Sequence, residues 1–175
     1  MFSNRDLRRL IAPLLVEQLL VLIVGMADTI MVSSAGEAAI SGVSIVNDIN
    51  SLIIQLLAAL AGGGAVVVSQ YLGAKDSNKV KLSASQLVMI SGLISLGFGL
   101  ISLLFYQQIL SALYSSVEPD VMVAARTYFW ITALSFPFLG LYNSGAALYR
   151  SMNRTNTTMF VSILMNVINV IGNYI

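Results

Sequence analysis

The chain has 175 residues, 57% hydrophobic and 10% charged, with a net charge of +1; a soluble domain carries about 25% charged residues. A mean hydropathy of +0.85 exceeds what a water-facing surface tolerates, so much of the apolar surface must meet lipid, and near-neutral charge gives nucleic acid no footing. Cys and His are both absent, which removes disulfides, thiol nucleophiles, His general bases and His or Cys metal sites.

A membrane-spanning helix needs about 20 mostly apolar residues, and five segments meet or approach that length in chain order. The first runs over about 10–32 and carries Glu17, Gln18 and Asp28. It is too long and too acidic for a cleaved signal peptide, whose apolar region is about 7–15 residues. The second, about 39–71, holds Asn47, Asp48, Asn50 and Gln55 in its first half and Gly62, Gly63 and Gly64 in its second. Those glycines predict a close backbone approach or a bend. The third covers about 83–109, with Ser91, Ser95 and Gly99 as a row of small residues suited to helix packing. The fourth covers about 121–149, with a kink expected at Pro137. The fifth starts near 158 and is still apolar at Ile175, which predicts that the sequence is part of a longer chain. Long continuous apolar runs, rather than ten-residue alternating stretches, predict helices and not barrel strands. The expected fold class is therefore an all-α polytopic membrane helix bundle over residues 1–175.

The connections settle an expected orientation. Arg5, Arg8 and Arg9 precede the first segment, Lys75, Lys79 and Lys81 follow the second, and Arg150 and Arg154 follow the fourth. The two remaining loops hold Glu37, Glu118 and Asp120 and no basic residue; Arg126 lies within the fourth segment. The positive-inside rule then puts the amino terminus in the cytoplasm.

The polar residues inside the spans carry the functional expectation. A carboxylate at the bilayer centre costs about 2.5–3.5 kcal/mol on insertion scales, so Asp28 is expected to face protein or a wet cavity. Glu17 and Asp28 are eleven positions apart, which returns to within about 20° of the same face, roughly 16 Å along the axis. Two readings stand for Glu17: a cavity-facing acid, or a boundary residue solvated or paired with Arg8 or Arg9. Ser162, Asn166, Asn169 and Asn173 fall within a wedge of about 60° on the fifth segment. Interhelical hydrogen bonding and ion ligation both account for that stripe. Ser44, Asn47, Asp48, Ser51 and Gln55 share an arc of about 100° on the second. Carboxylate and amide oxygens suit a hard cation such as Na⁺, and desolvation of a carboxylate suits reversible proton binding. An acidic cavity also attracts a cationic organic compound. No phosphate-cradling GxxxxGK loop and no Ser-His pair exist, so neither an enzyme nor an ATP-driven pump is expected, and no cofactor is implied.

Gly25-Met26-Ala27-Asp28-Thr29-Ile30-Met31-Val32 resembles the first-helix motif of the multidrug and toxic compound extrusion (MATE) transporters. Ser69-Gln70-Tyr71-Leu72-Gly73-Ala74 resembles the end of their second helix, and Pro137, the Arg150–Thr155 turn and the stretch Asn166–Tyr174 are similar to later parts of the pattern. The resemblance covers essentially the whole chain. It implies a twelve-helix antiporter of two six-helix lobes in the bacterial inner membrane, exporting cationic organic compounds against Na⁺ or H⁺. This chain then supplies about five helices, with the second lobe and lipid as partners. By position, Asp28 matches the family's first-helix acid, and Asn169 and Asn173 match the fifth-helix pair that accompanies it, with Na⁺ at Asp28 as the one metal implied. Glu17, Asn47, Gln55 and Asn143 are further candidates for lining the cavity. Two positions depart from the pattern: Asn173, where some members carry Asp, and Asn153, where Gly is common. The alternatives are a flippase for lipid-linked precursors, which tends to need a basic cavity, and a truncated membrane protein that transports nothing.

Overall fold

The computed structural model describes the backbone of residues 4–174 and the side chains of residues 11–172 other than Asp28. Six helices follow one another: α1 (Asn4–Ser33), α2 (Glu37–Gly73), α3 (Ser77–Leu113), α4 (Pro119–Ala133), α5 (Phe136–Ser151) and α6 (Thr155–Tyr174). Among the described residues four of them are long and apolar enough to cross a membrane alone, and α4 and α5, bent by 49° at their junction, together have the length and apolarity of a fifth span. The chain is a multi-pass membrane protein. Successive spans reverse direction, so the 74–76 and 152–154 turns lie at one end, here the basic end, and the 34–36 and 114–118 turns at the other, the acidic end.

The bend between α4 and α5 has a local cause. Pro137 has no backbone N–H to give the Ala133 carbonyl one turn earlier. The chain tightens instead, with Leu134 N donating to Ile131 O at 3.3 Å and Ser135 N to Thr132 O at 2.9 Å. A second irregularity lies at Phe105 in α3, with φ −118° and ψ 17°; no Pro or Gly stands there, and no residue of that turn accounts for it.

Both basic-end turns close in the same way. Lys75 (φ 58°) and Asn153 (φ 61°) are left-handed. Asp76 N bonds back to Tyr71 O and Lys75 N to Leu72 O, while Arg154 N bonds to Tyr149 O and Asn153 N to Arg150 O. These paired bonds satisfy the last carbonyls of α2 and α5. The left-handed φ explains why a glycine suits position 153, and asparagine is among the few other residues that accept it.

The exterior is apolar, and small polar residues are buried alongside an apolar core. Ile30, Leu104 and Phe138 are each at least 70% exposed, whereas Ser91, Ser95, Ser102, Ser144 and Ser162 are buried. Without a hydrophobic drive between helices, close packing of small residues holds the bundle. The row Ser91, Ser95, Gly99 meets α5: a Cβ on Gly140 would land on the Ser95 side chain and 2.9 Å from the Ser91 carbonyl. Gly42 on α2 lies equally close to α4, where a Cβ would come within 2.8 Å of Ala125 N and 2.9 Å of Ala124 Cβ. Of the three consecutive glycines, only Gly64 is at a helix contact, against Leu87; Gly62 and Gly63 have open space, and α2 runs through them as one helix.

The helices form two groups. Helices α2 to α5 pack on one another around Val46, Leu57, Leu110, Phe129 and Phe136. Helix α1 pairs chiefly with α6, and this pair joins the larger group through lighter contacts of α1 with α2 and of α5 with α6.

Candidate functional site

Two cavities among the described residues hold polar candidates, one at the junction of these groups and one between α2 and α5. The larger, about 550 Å³, lies toward the acidic end and is walled by Gly25, Thr29 and Val32 of α1, Ser44 and Asn47 of α2, Tyr128 of α4 and Asn169 of α6, among others. Each side chain reaches it because its helix turns a polar arc away from the packed core. On α2 the core side is taken by Gly42, Val46, Asn50, Ile53 and Leu57, leaving Ser44 and Asn47 on the open side. Tyr128 donates its hydroxyl proton to Asn47 Oδ1 at 3.3 Å, and Thr132 lies 3.5 Å from Asn50 Oδ1. Thr29 turns its hydroxyl back onto Gly25 O at 2.9 Å.

The second cavity is a cleft of about 420 Å³ toward the basic end. Gly62, Val66 and Ser69 of α2 face Asn143, Ala147 and Arg150 of α5 across it. Ser44, Asn47, Gly62, Val66 and Ser69 fall within one arc of about 100° on α2. A single face of α2 therefore lines both cavities, with Ser51 and Gln55 exposed between them.

The candidate residues divide accordingly. Asn47 and Asn169 line the acidic-end cavity. The side chains of Asp28 and Asn173 lie outside the described residues; their backbone positions are in α1, between the cavity-lining Gly25 and Thr29, and in α6, one turn beyond Asn169. Asn143 lines the basic-end cleft. Glu17 is buried, 7% exposed, with Oε1 3.8 Å from Arg150 Nη1. Among the described residues the cation beside Glu17 is Arg150; the side chains of Arg8 and Arg9 lie outside the described residues. Ser162 is buried on the α6 stripe, and Asn166 has a buried Nδ2 with no acceptor among the described residues. Tyr128 and Thr132 were not singled out from sequence. The signal available was weak: two polar residues one helical turn apart in an otherwise apolar stretch.

Outside the spans, Asp76 caps α3 by accepting from Lys79 N at 3.1 Å, and its carboxylate lies 3.3 Å from Lys79 Nζ. The bond from the Lys79 backbone, the largest effect, and the Lys79 charge hold the Asp76 carboxyl below the usual carboxylate range. The same ammonium sits 5.6 Å from the centre of the Tyr71 ring, which ties the turn together.

The MatE family model matches residues 13–175 of this chain. The chain belongs to the MatE family. Its relatives include the uncharacterized transporter YisQ of Bacillus subtilis (strain 168), 29% identical over 167 residues, covering 93% of this chain and 35% of that protein. The probable multidrug resistance protein NorM of Thermotoga maritima is 25% identical over 174 residues, covering 98% of this chain and 36% of its own length. A MOP superfamily transporter from Pyrococcus furiosus superposes with a TM-score of 0.89 at 18% identity, over 96% of this chain and 37% of that one; this likeness is one of fold. The MatE chain thus spans a little over a third of the length of the relatives it matches.

Proposed function

We propose that this MatE chain forms part of the amino-terminal lobe of a secondary-active antiporter that exports cationic organic compounds in exchange for Na⁺ or H⁺. The observation that carries the reading is the acidic-end cavity, where Asn47, Tyr128 and Asn169 share a wall with the α1 turn that bears Asp28. Amide and hydroxyl oxygens beside a carboxylate are ligands for a hard monovalent cation, and apolar Val32, Ile40 and Val43 on the same wall suit an amphipathic organic cation. Among the described residues no Lys or Arg lines this cavity, which favours a cationic cargo over a lipid-linked pyrophosphate. Asp28 is the coupling acid, with Asn169 and Asn173 as neutral ligands. Cation occupancy biases the two-state equilibrium of the lobe only because the two states bind the cation differently, and export follows from the rocking of one lobe against a second. The basic end faces the cytoplasm, following the positive-inside rule.

The deciding experiment is efflux from vesicles holding the complete protein, with Na⁺ and H⁺ gradients imposed separately, for the wild type and Asp28→Asn. Export that follows one gradient and stops in Asp28→Asn, with membrane insertion intact, supports the reading and names the ion. Export indifferent to both gradients and to Asp28 would sink it.

A further inference from the structure

The acid at the other end of α1 has no place in that scheme. Glu17 is buried against α5, yet its carboxylate has few partners among the described residues. Arg150 Nη1 stands 3.8 Å from Oε1, too far for a hydrogen bond, and Oε2 is buried with no donor among the described residues. A carboxylate removed from water is costly unless it is both paired and hydrogen-bonded. The neighbours offer little more. From α5, Tyr142 lies within the field of both Glu17 and Arg150, and its hydroxyl shares a hydrogen bond with Ser162 of α6. Helix α6 contains no charged residue, and α2 has none between Asp48 and the Lys75 turn. Arg150 is thus the one described cation facing this acid, and its own side chain is 36% exposed at the edge of the basic-end cleft.

We propose that Glu17 is a second proton-binding carboxylate of this chain, separate from Asp28, and that the proton competes with Arg150 for it. A metal ion is a poor occupant because the guanidinium already stands beside Oε1. A proton adds no bulk. On uptake an O–H bond forms at a carboxylate oxygen, the site loses one negative charge, and Arg150 keeps its positive charge. The guanidinium then turns into the cleft, where Asn143 and Ser69 and water can receive it. On release, the carboxylate and Arg150 re-form the pair. Since α1 is otherwise held mainly by α6, occupancy of Glu17 sets whether α1 is also tied to α5 at the basic end. The inference does not depend on the antiport reading.

The test is pH-difference infrared spectroscopy of the complete protein reconstituted in lipid, followed in the stretch of protonated carboxyl groups. A band is expected in the wild type that disappears in Glu17→Gln and persists in Asp28→Asn. The band should persist to higher pH in Arg150→Gln, because an opposite charge at this range favours the ionised acid. Where Glu17→Gln does not fold, Glu17→Asp serves, and the band should shift rather than vanish. A spectrum unchanged by the Glu17 substitutions, or a midpoint indifferent to Arg150, overturns the proposal.

Discussion

The acidic-end cavity and the basic-end cleft share one face of α2 but are built on opposite electrostatic plans. Among the described residues Asn47, Tyr128 and Asn169 furnish the first with neutral oxygens and no cation, while the second carries the Arg150 guanidinium with Glu17 beside it. The acidic-end cavity lies where the closely packed α1–α6 pair meets the closely packed α2–α4 pair through lighter contacts, so it is roomy. The cleft lies between α2 and α5, which pack directly. A positively charged cargo meets a welcoming surface at one end and a cation at the other. If both lie on one path, the charge at the cleft must be covered or moved during passage, and Glu17 is the group placed to do so.

The contrast can be tested from the largest effect downward. Loss of Asp28 should abolish coupled export, as above. Next, Asn47→Leu and Asn169→Leu should each lower export about tenfold, the order expected when one polar contact to a buried cargo is lost. Asn143→Leu at the cleft should lower it by no more than about threefold. Efflux rates at matched expression measure this, and equal losses at the two ends would erase the distinction between the cavities.

The packing that separates the cavities gives a third prediction. Gly140→Ala drives a Cβ into Ser95 and should cost about 1–3 kcal/mol by overpacking. Gly145→Ala on the same helix meets nothing within 4 Å and should be neutral or stabilising by up to about 1 kcal/mol through helix propensity. Thermal unfolding in detergent checks the pair, and the order of the two variants is the decisive feature.

The smallest effect lies at the α2–α3 turn. Because the Asp76 carboxyl is held below its ordinary value in the folded state, its cap stabilises above the unfolded value of about 3.9. That stability is lost as pH falls through the lower folded value. Asp76→Ala should therefore be slightly less stable than the wild type near neutral pH, and the gap should close in strong acid. A gap that widens on acidification would contradict the cap.

Much of the architecture was legible from local features. The kink expected at Pro137 appears as the 49° bend between α4 and α5, because a missing N–H acts within its own turn. Ser91, Ser95 and Gly99 were readable as a packing row for the same reason: their size and spacing belong to one helix. The three glycines of α2 were less informative. Closeness to another backbone depends on which face the neighbour takes, and Leu87 met only Gly64. The candidate site was legible as a set of polar residues but not as an arrangement. Nothing in the first segment announces that Glu17 stands beside Arg150, and nothing in the fourth that Tyr128 reaches Asn47.

By itself, the sequence determined that the chain is helical, where it turns, and that it lives in lipid. Desolvation of a backbone group or an apolar side chain is a cost that each segment bears alone. Only the tertiary structure decided that one face of α2 lines two cavities, that Asn169 of α6 joins the first, and that Glu17 of α1 lies beside Arg150 of the second. Pairings of this kind depend on which helices lie side by side, and that is settled by contacts such as Gly42 on α4 and Gly140 on α3, where the absence of a side chain lets two backbones meet.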